Sequence, residues 1–202
     1  MTEQLIAIKK DLKKKLTKHR MEHTVGVMYM AAALAMQHDI DVEKAMTAGL
    51  LHDCAKSMKD PDQLEVCLIN NMKMRHVELN NPSLLHAKAG VCLAQNKYGI
   101  TDAEVLNAIA VHTTGEPDMT TLEKIIFVSD YIEPNRKHIP ELKEIRKTAF
   151  FDLDLAVYMV LKETIAFLEE SDRVMDTLTL DAFDYYKEII QNRMNKQEKQ
   201  DR

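Results

Sequence analysis

The sequence predicts an all-α fold, and three observations predict it. Its 202 residues contain 5 Gly and 5 Pro against 13 Met, a shortage of chain breakers that suits helices and disfavours a turn-rich sandwich or barrel. Apolar residues recur at three- and four-residue spacing along most of the chain, and no segment of useful length alternates with strand period. No internal repeat, low-complexity linker or charge break divides the sequence. One domain over residues 1–202, of about nine to ten helices, is the expectation.

Each element follows from local pattern. Leu5, Ile8, Leu12 and Leu16 form the stripe of a first helix. The basic run from Lys9 to Arg20 reads as its solvated side, with attraction of a phosphorylated ligand as the competing reading. Thr17 caps a second helix to about Gln37, whose stripe holds His23, Val27, Met30 and Leu34. Met28, Met30 and Met36 are read as core. A third helix starts near Asp41 and carries AMTAGLLHDCAK. Asp60-Pro61 opens a short helix to about Asn71, and Asn81-Pro82 opens one reaching Tyr98, with Gly99 as its stop. Thr101 starts a helix to His112, with Asp102 in its first turn. After a loop at Gly115–Pro117, Thr121 to about Ile132 is helical, and Glu133-Pro134 ends it. Helices near Glu141–Ala149, Asp152–Glu170 and Leu180–Met194 follow, and KQEKQDR is expected to fray.

Composition excludes several classes. A net charge of -5 disfavours a dedicated nucleic-acid binder. Cys54, Cys67 and Cys92 form no CxxC pair, so neither a disulfide framework nor a thiolate zinc site is expected, and free thiols in a reducing cytosol fit best. The N-terminus lacks the pattern of a signal peptide. The longest uncharged apolar-rich stretch, Val25 to Met36, is 12 residues, too short to span a bilayer. A cytoplasmic protein without a membrane partner is the expectation.

The chemistry lies in histidines and aspartates on apolar helix faces. His52-Asp53 follows Ala48, Gly49, Leu50 and Leu51, where burial is expected. His38-Asp39 is the same pair at a helix end before another helix start, and capping accounts for it. Leu122, Ile126 and Asp130 share one helix face, and a carboxylate there is costly unless paired or bound to a metal. His23 aligns with Val27 and Met30, His112 with Val105 and Ile109, and His86 follows Leu84-Leu85. Each histidine alone reads more readily as core than as ligand; four His and two Asp together are harder to explain by packing. Such N/O donors suit Fe, Mn, Co or Zn. Six exceed one catalytic zinc's usual three protein ligands and suit two ions about 3.5–4 Å apart, which polarise phosphoryl oxygens and generate hydroxide near neutral pH.

The order His23, His52-Asp53, Asp130, with Arg20-x-x-His23 and Leu50-Leu51-His52-Asp53-x-x-Lys56, resembles the HD superfamily of metal-dependent phosphohydrolases. More narrowly, AGLLHDCAK (48–56), HAKAG (86–90), HTTG (112–115) and KIIFVSDYIEPNR (124–136) resemble the bacterial HD-type symmetrical dinucleoside-tetraphosphate hydrolases. The likeness covers roughly residues 18 to 138. It implies an all-α HD fold and a dinuclear, iron-preferring centre. It implies that His23, His52, Asp53, His86, His112 and Asp130 are the ligands, with Asp53 bridging, and that diadenosine tetraphosphate is cleaved to two ADP. Ser129 stands where a small apolar residue is expected.

Beside the resemblance, a carboxylate has two oxygens with which Asp53 can bridge. Asp53, Lys56 and Arg136 are the catalytic candidates: Lys56, one helical turn beyond if the helix continues, is placed to neutralise phosphate charge. Arg20, Lys56, Thr113, Glu133, Arg136 and His138 are the substrate-binding candidates. Of these, Arg20 could instead orient a ligand carboxylate and Glu133 could position its neighbours. The competing readings are another HD phosphohydrolase (a 5′-nucleotidase or dNTP hydrolase), an HD-type di-iron oxygenase, and a non-catalytic HD module. The nucleoside contacts and the C-terminal third carry no motif, and the oligomeric state is left open, a homodimer among the options.

Overall fold

The computed structural model describes residues 1–137, 141–171 and 174–200. Side-chain caps set most helix starts. Thr2 caps α1 (Glu3–Lys15) and Thr17 caps α2 (Lys18–Gln37). Asp41 accepts from the backbone N–H groups of Glu43 and Lys44 at the start of α3 (Val42–Leu51). Such a cap stabilises by about 1 kcal/mol. The helices α4 (Asp60–Ile69), α5 (His76–Asn80), a 3-10 turn (Pro82–Leu85) and α6 (His86–Asn96) follow. Gly99, at φ 68°, lets the chain leave α6, with Ile100 N–H reaching back to the Ala94 carbonyl. Then come α7 (Ala103–Val111), α8 (Thr121–Ile132, started by a Thr120–Glu123 capping box), α9 (Leu142–Ala149), α10 (Leu153–Glu170) and α11 (Thr177–Gln200).

The core gathers around α8, which packs on α2, α3, α7, α9 and α10. Ile125, Ile126, Val128 and Ile132 of α8 are buried, as are Val27 of α2, Leu50 and Leu51 of α3 and Ile109 of α7. A helix buried on several sides belongs at the centre of its domain. That centre is where α2, α3, α7 and α8 bring their polar residues together. From the far side, the hydroxyl of buried Tyr186 on α11 accepts from Met119 N–H, closing the loop before α8. Among the described residues, no helix is long and apolar enough to cross a membrane.

Several expected boundaries are corrected. There are eleven α-helices and one 3-10 turn among the described residues, more than expected, chiefly because α5 was not anticipated. Its five residues carry no apolar period; buried Glu78 holds it, accepting from Arg75 N–H (2.6 Å), the Arg75 guanidinium (3.0 Å) and Lys88 Nζ (2.6 Å). The helix expected from Asn81-Pro82 to Tyr98 starts as the 3-10 turn and ends at Asn96. Asp102 caps α7 rather than lying in its first turn, because its carboxylate accepts from Glu104 and Val105 N–H. After Leu51 the chain runs as successive three-residue turns, so Lys56 does not continue α3. The end expected to fray is helical through Gln200, in keeping with its good helix formers. Met28 is buried, but Met30 is only half-buried and Met36 is 65% exposed on an outer face.

Candidate metal centre

His23, His52, Asp53, His86, His112 and Asp130 meet at one place, from α2, the end of α3, the start of α6, the end of α7, and α8. All but Asp130 are buried, and Asp130 is a quarter exposed. Three of the histidines are anchored alike. Nδ1 of His52, His86 and His112 each donates, at 2.7 Å, to the carbonyl three residues back: Gly49, Ser83 and Ile109. His23 Nδ1 lies 3.3 Å from Glu133 Oε1. These partners place the proton on Nδ1 and leave Nε2 as a lone pair aimed inward.

The lone pairs converge on one another, with the Thr113 hydroxyl and Lys56 Nζ the donors beside His86 and His112. Nε2 of His86 and of His112 are 3.2 Å apart. The Thr113 hydroxyl sits 3.1 Å from both, but has one hydrogen to give. Among the described residues, Nε2 of His23 and of His52 find no hydrogen-bond partner. Asp53 stands among them, its Oδ1 3.5 Å from His86 Nε2 and 3.8 Å from His112 Nε2, its Oδ2 3.4 Å from His52 Nε2 and 3.8 Å from His23 Nε2. The two carboxylate oxygens therefore divide the four imidazoles into two pairs. Asp130 Oδ1 lies 3.0 Å from His23 Nε2 and 3.9 Å from His52 Nε2. Ligand atoms of His23, His52 and Asp130, and those of His52, Asp53 and His112, fall within 4.8 Å of one another.

This donor set fits divalent cations. Burial works to raise the Asp53 carboxyl, but His52 and His112 hold it well below the usual range. Burial works to raise Asp130 too, but the His23 and His52 rings together hold it below the usual range. Burial disfavours the His52 imidazolium, yet Asp53 raises its pKa above the ordinary value. Burial, helped by His112 and Lys56, drives His86 down to about 3. The ionised carboxylates and neutral His86 are in the forms that bind a metal, whereas His52 must give up its proton to do so. The C-terminal ends of α3 and α7, at His52 and His112, add partial negative charge that favours a cation.

Around this cluster the other candidates have distinct positions. Arg20 donates from Nη1 to Asp53 Oδ2 at 2.7 Å. Arg136, two-fifths exposed, donates to the Asp130 carbonyl and carboxylate at 3.3 and 3.2 Å. Lys56 Nζ lies against the His86 ring, 3.1 and 3.2 Å from its nitrogens, and burial lowers its pKa. Glu133, expected as a substrate contact or to position its neighbours, is buried: Oε1 faces His23 and Oε2 accepts from Asn135 N–H at 2.7 Å, which favours the positioning role. His138 lies outside the described residues.

Two supports escaped the sequence reading. Gly26 gives Glu133 room to reach His23, since a Cβ at Gly26 would collide with Glu133 Oε2. Arg146 of α9 donates to the carbonyls of Ile132, Glu133 and Arg136, fixing the turn that presents Glu133 and Arg136. The only sequence signal for either was the spacing of a glycine one turn after a candidate ligand histidine.

A helical domain with a His/Asp cluster centred on a His-Asp pair defines the HD class, and the HD domain family model matches residues 20–135. The symmetrical bis(5′-nucleosyl)-tetraphosphatase of Bacillus subtilis (strain 168) is 41% identical over 162 residues, 80% of this chain and 86% of that one. Its namesake in Halalkalibacterium halodurans is 40% identical over 169 residues, 83% and 89% of the two chains. The crystal structure of a predicted HD superfamily hydrolase involved in NAD metabolism, from Clostridium acetobutylicum, superposes with a TM-score of 0.87 at 40% identity, covering 90% of this chain and 96% of that one. The chain belongs to the HD-type family of symmetrical bis(5′-nucleosyl)-tetraphosphatases.

Proposed function

We propose that this protein hydrolyses symmetric dinucleoside tetraphosphates, diadenosine tetraphosphate giving two ADP. The observation that carries the reading is Asp53, whose two oxygens face two separate pairs of imidazoles. His23, His52 and Asp130 would hold one ion, His86 and His112 a second, with Asp53 between them. Iron is the ion we propose, the N/O donor set also accepting Mn, Co or Zn. Bound there, the ions supply Lewis acidity to phosphoryl oxygens and acidify water.

The chain's own residues bind and orient. Arg20 fixes Asp53 Oδ2 and has further N–H donors for a phosphate. Arg136 holds Asp130 and reaches toward solvent, where its charge suits the departing diphosphate. Lys56 adds positive charge beside His86, and the Thr113 hydroxyl donates beside His86 and His112. Water's oxygen bonds to one inner phosphorus as that atom's bond to the central bridging oxygen breaks. Two ADP and the protons of water are released. The relatives named as symmetrical tetraphosphatases support this reading over a nucleotidase, a dNTP hydrolase, an oxygenase or a silent module.

In this reading residues 1–202 work as one HD-type unit in the cytoplasm, on free nucleotides rather than nucleic acid. The three buried free cysteines suit a reducing compartment. Anaerobic incubation with ferrous iron and diadenosine tetraphosphate tests the proposal. ADP as sole product, lost in Asp53→Ala, supports it; ATP plus AMP refutes central attack, and no turnover with iron bound refutes the substrate.

A further inference from the structure

We propose that the groove between α1 and α2, on the side of α2 turned away from the metal centre, is a second ligand site that takes a nucleoside polyphosphate. Lys9 and Lys13 engage its phosphates and Tyr29 stacks on its base. The inference goes beyond the tetraphosphatase reading and does not depend on it.

The groove has a volume of about 910 Å³ and is walled by α1, α2 and the turn at Pro134-Asn135. Ligand pockets span about 300–1,000 Å³. Its separation from the metal centre follows from the helical geometry of α2. Lys18, Glu22, Val25 and Tyr29 line the groove, and their spacings of four, three and four put them on one face. Arg20, which holds Asp53, His23 and Val27 share another face. At 3.6 residues per turn the two faces are about 160° apart.

Positive charge is concentrated on this side. Residues 9–20 hold six Lys and one Arg against one Asp, in a chain of net charge -5. Such a local field draws anions against the overall balance. The dipole of α1 accounts for Lys13, Lys14 and Lys15 in its last turn. It does not account for Lys9, which stands four residues before Lys13 on the same face, where like charges repel. Lys15 is satisfied by Asp11 at 3.4 Å. Among the described residues, neither Lys9 nor Lys13 is in an ion pair. Glu22 is the one carboxylate among the described residues of the lining, and Lys18 lies 3.9 Å from it.

Between the charges the floor is apolar: Leu16 and Met21 are buried and Val25 is half-buried. Tyr29 is 53% exposed, with Lys9 Nζ 5.6 Å from its ring centroid. An inorganic anion would use the lysines alone, and an apolar ligand the floor alone. A planar heterocycle carrying phosphates uses both: ammonium groups serve phosphate as point charges, and the ring stacks on an aromatic side chain whatever the base. The site therefore reads phosphate and ring, and leaves the base unspecified.

The test uses the full chain loaded with Mn²⁺ and freed of excess ion, with ADP and inorganic pyrophosphate titrated calorimetrically. Wild type should bind two ADP per chain, one at the metal centre and one in the groove. The double variant Lys9→Ala, Lys13→Ala should bind one, with the metal-centre affinity within about twofold of wild type. Tyr29→Ala should weaken the second ADP about tenfold, the scale of a lost base stack, and leave pyrophosphate there within about twofold. Asp53→Ala should still take ADP in the groove. A single ADP per chain in wild type, or two in the double lysine variant, overturns the site. Unchanged ADP affinity in Tyr29→Ala overturns the nucleotide assignment. A single ADP per chain, together with sedimentation on phosphatidylglycerol vesicles that the lysine variant loses, overturns the proposal and gives this face to an anionic membrane. Failure to turn over diadenosine tetraphosphate would not change the number of ADP sites, so the two readings fail separately.

Discussion

His38-Asp39 and His52-Asp53 are the same dipeptide at the ends of consecutive helices, and the fold uses them in opposite ways. His38 closes α2, and its Nε2 lies 2.7 Å from the Ala149 carbonyl, tying α2 to the end of α9. Asp39 turns the chain in the left-handed region, at φ 55°. His52 closes α3 with no exposure at all, its Nδ1 bonded within its own helix and its Nε2 turned to Asp53. The dipeptide carries no function by itself. What decides is whether the helix end points at solvent or at other buried polar groups, and here α6, α7 and α8 supply those groups only to the second copy.

Breaking the second copy has the largest expected effect. Asp53→Ala removes the carboxylate shared by both imidazole pairs, and turnover should fall by about 10³-fold or more; a steady-state assay of ADP release reads it, and retention of a tenth of the activity would contradict the shared role. Next comes Gly26→Ala, which pushes Glu133 away from His23. Metal affinity should weaken about 10- to 100-fold, as when a ligand's supporting partner is lost, and competition with a chromophoric chelator measures it. In the first copy, His38→Ala loses one bond to a carbonyl. Stability should fall by about 1 kcal/mol with activity unchanged, read by urea unfolding beside the same assay. The smallest effect is Asp39→Gly: relief of about 1–2 kcal/mol of left-handed strain is largely offset by glycine's entropy of about 0.5–1 kcal/mol. A net gain of about 0.5 kcal/mol is expected in unfolding midpoint, and a loss would mean that the Asp39 side chain is used.

The same contrast shows how far the sequence could be read. Helices such as α2, α8 and α10 were legible because apolar residues recur in them at helical spacing between recognisable caps. The candidate ligands were legible because His and Asp on such a stripe demand a partner. α5 was not, since ion pairs at Glu78 rather than apolar spacing hold it. Nor was the burial of Glu133, whose place just before Pro134 reads as an exposed helix end, while Gly26 leaves room for its carboxylate and Arg146 holds its carbonyl. The ion pair of Arg75 with buried Asp176 was invisible for the same reason: the two are 101 residues apart in the chain. Periodicity reports burial along one element, and these contacts join elements far apart.

The three imidazoles pinned to carbonyls three residues back have a consequence for the life of the protein. Those of His86 and His112 are held 3.2 Å from each other and that of His52 faces Asp53 whether or not an ion is present, so the folded chain without metal keeps a repulsion that it cannot relax by turning a ring. An ion that binds only the folded form adds RT ln(1 + [L]/Kd), about 2.7 kcal/mol at a hundredfold excess over Kd. The melting temperature should therefore track the free divalent pool. Starvation for the ion then shortens the survival of the molecule as well as silencing its chemistry.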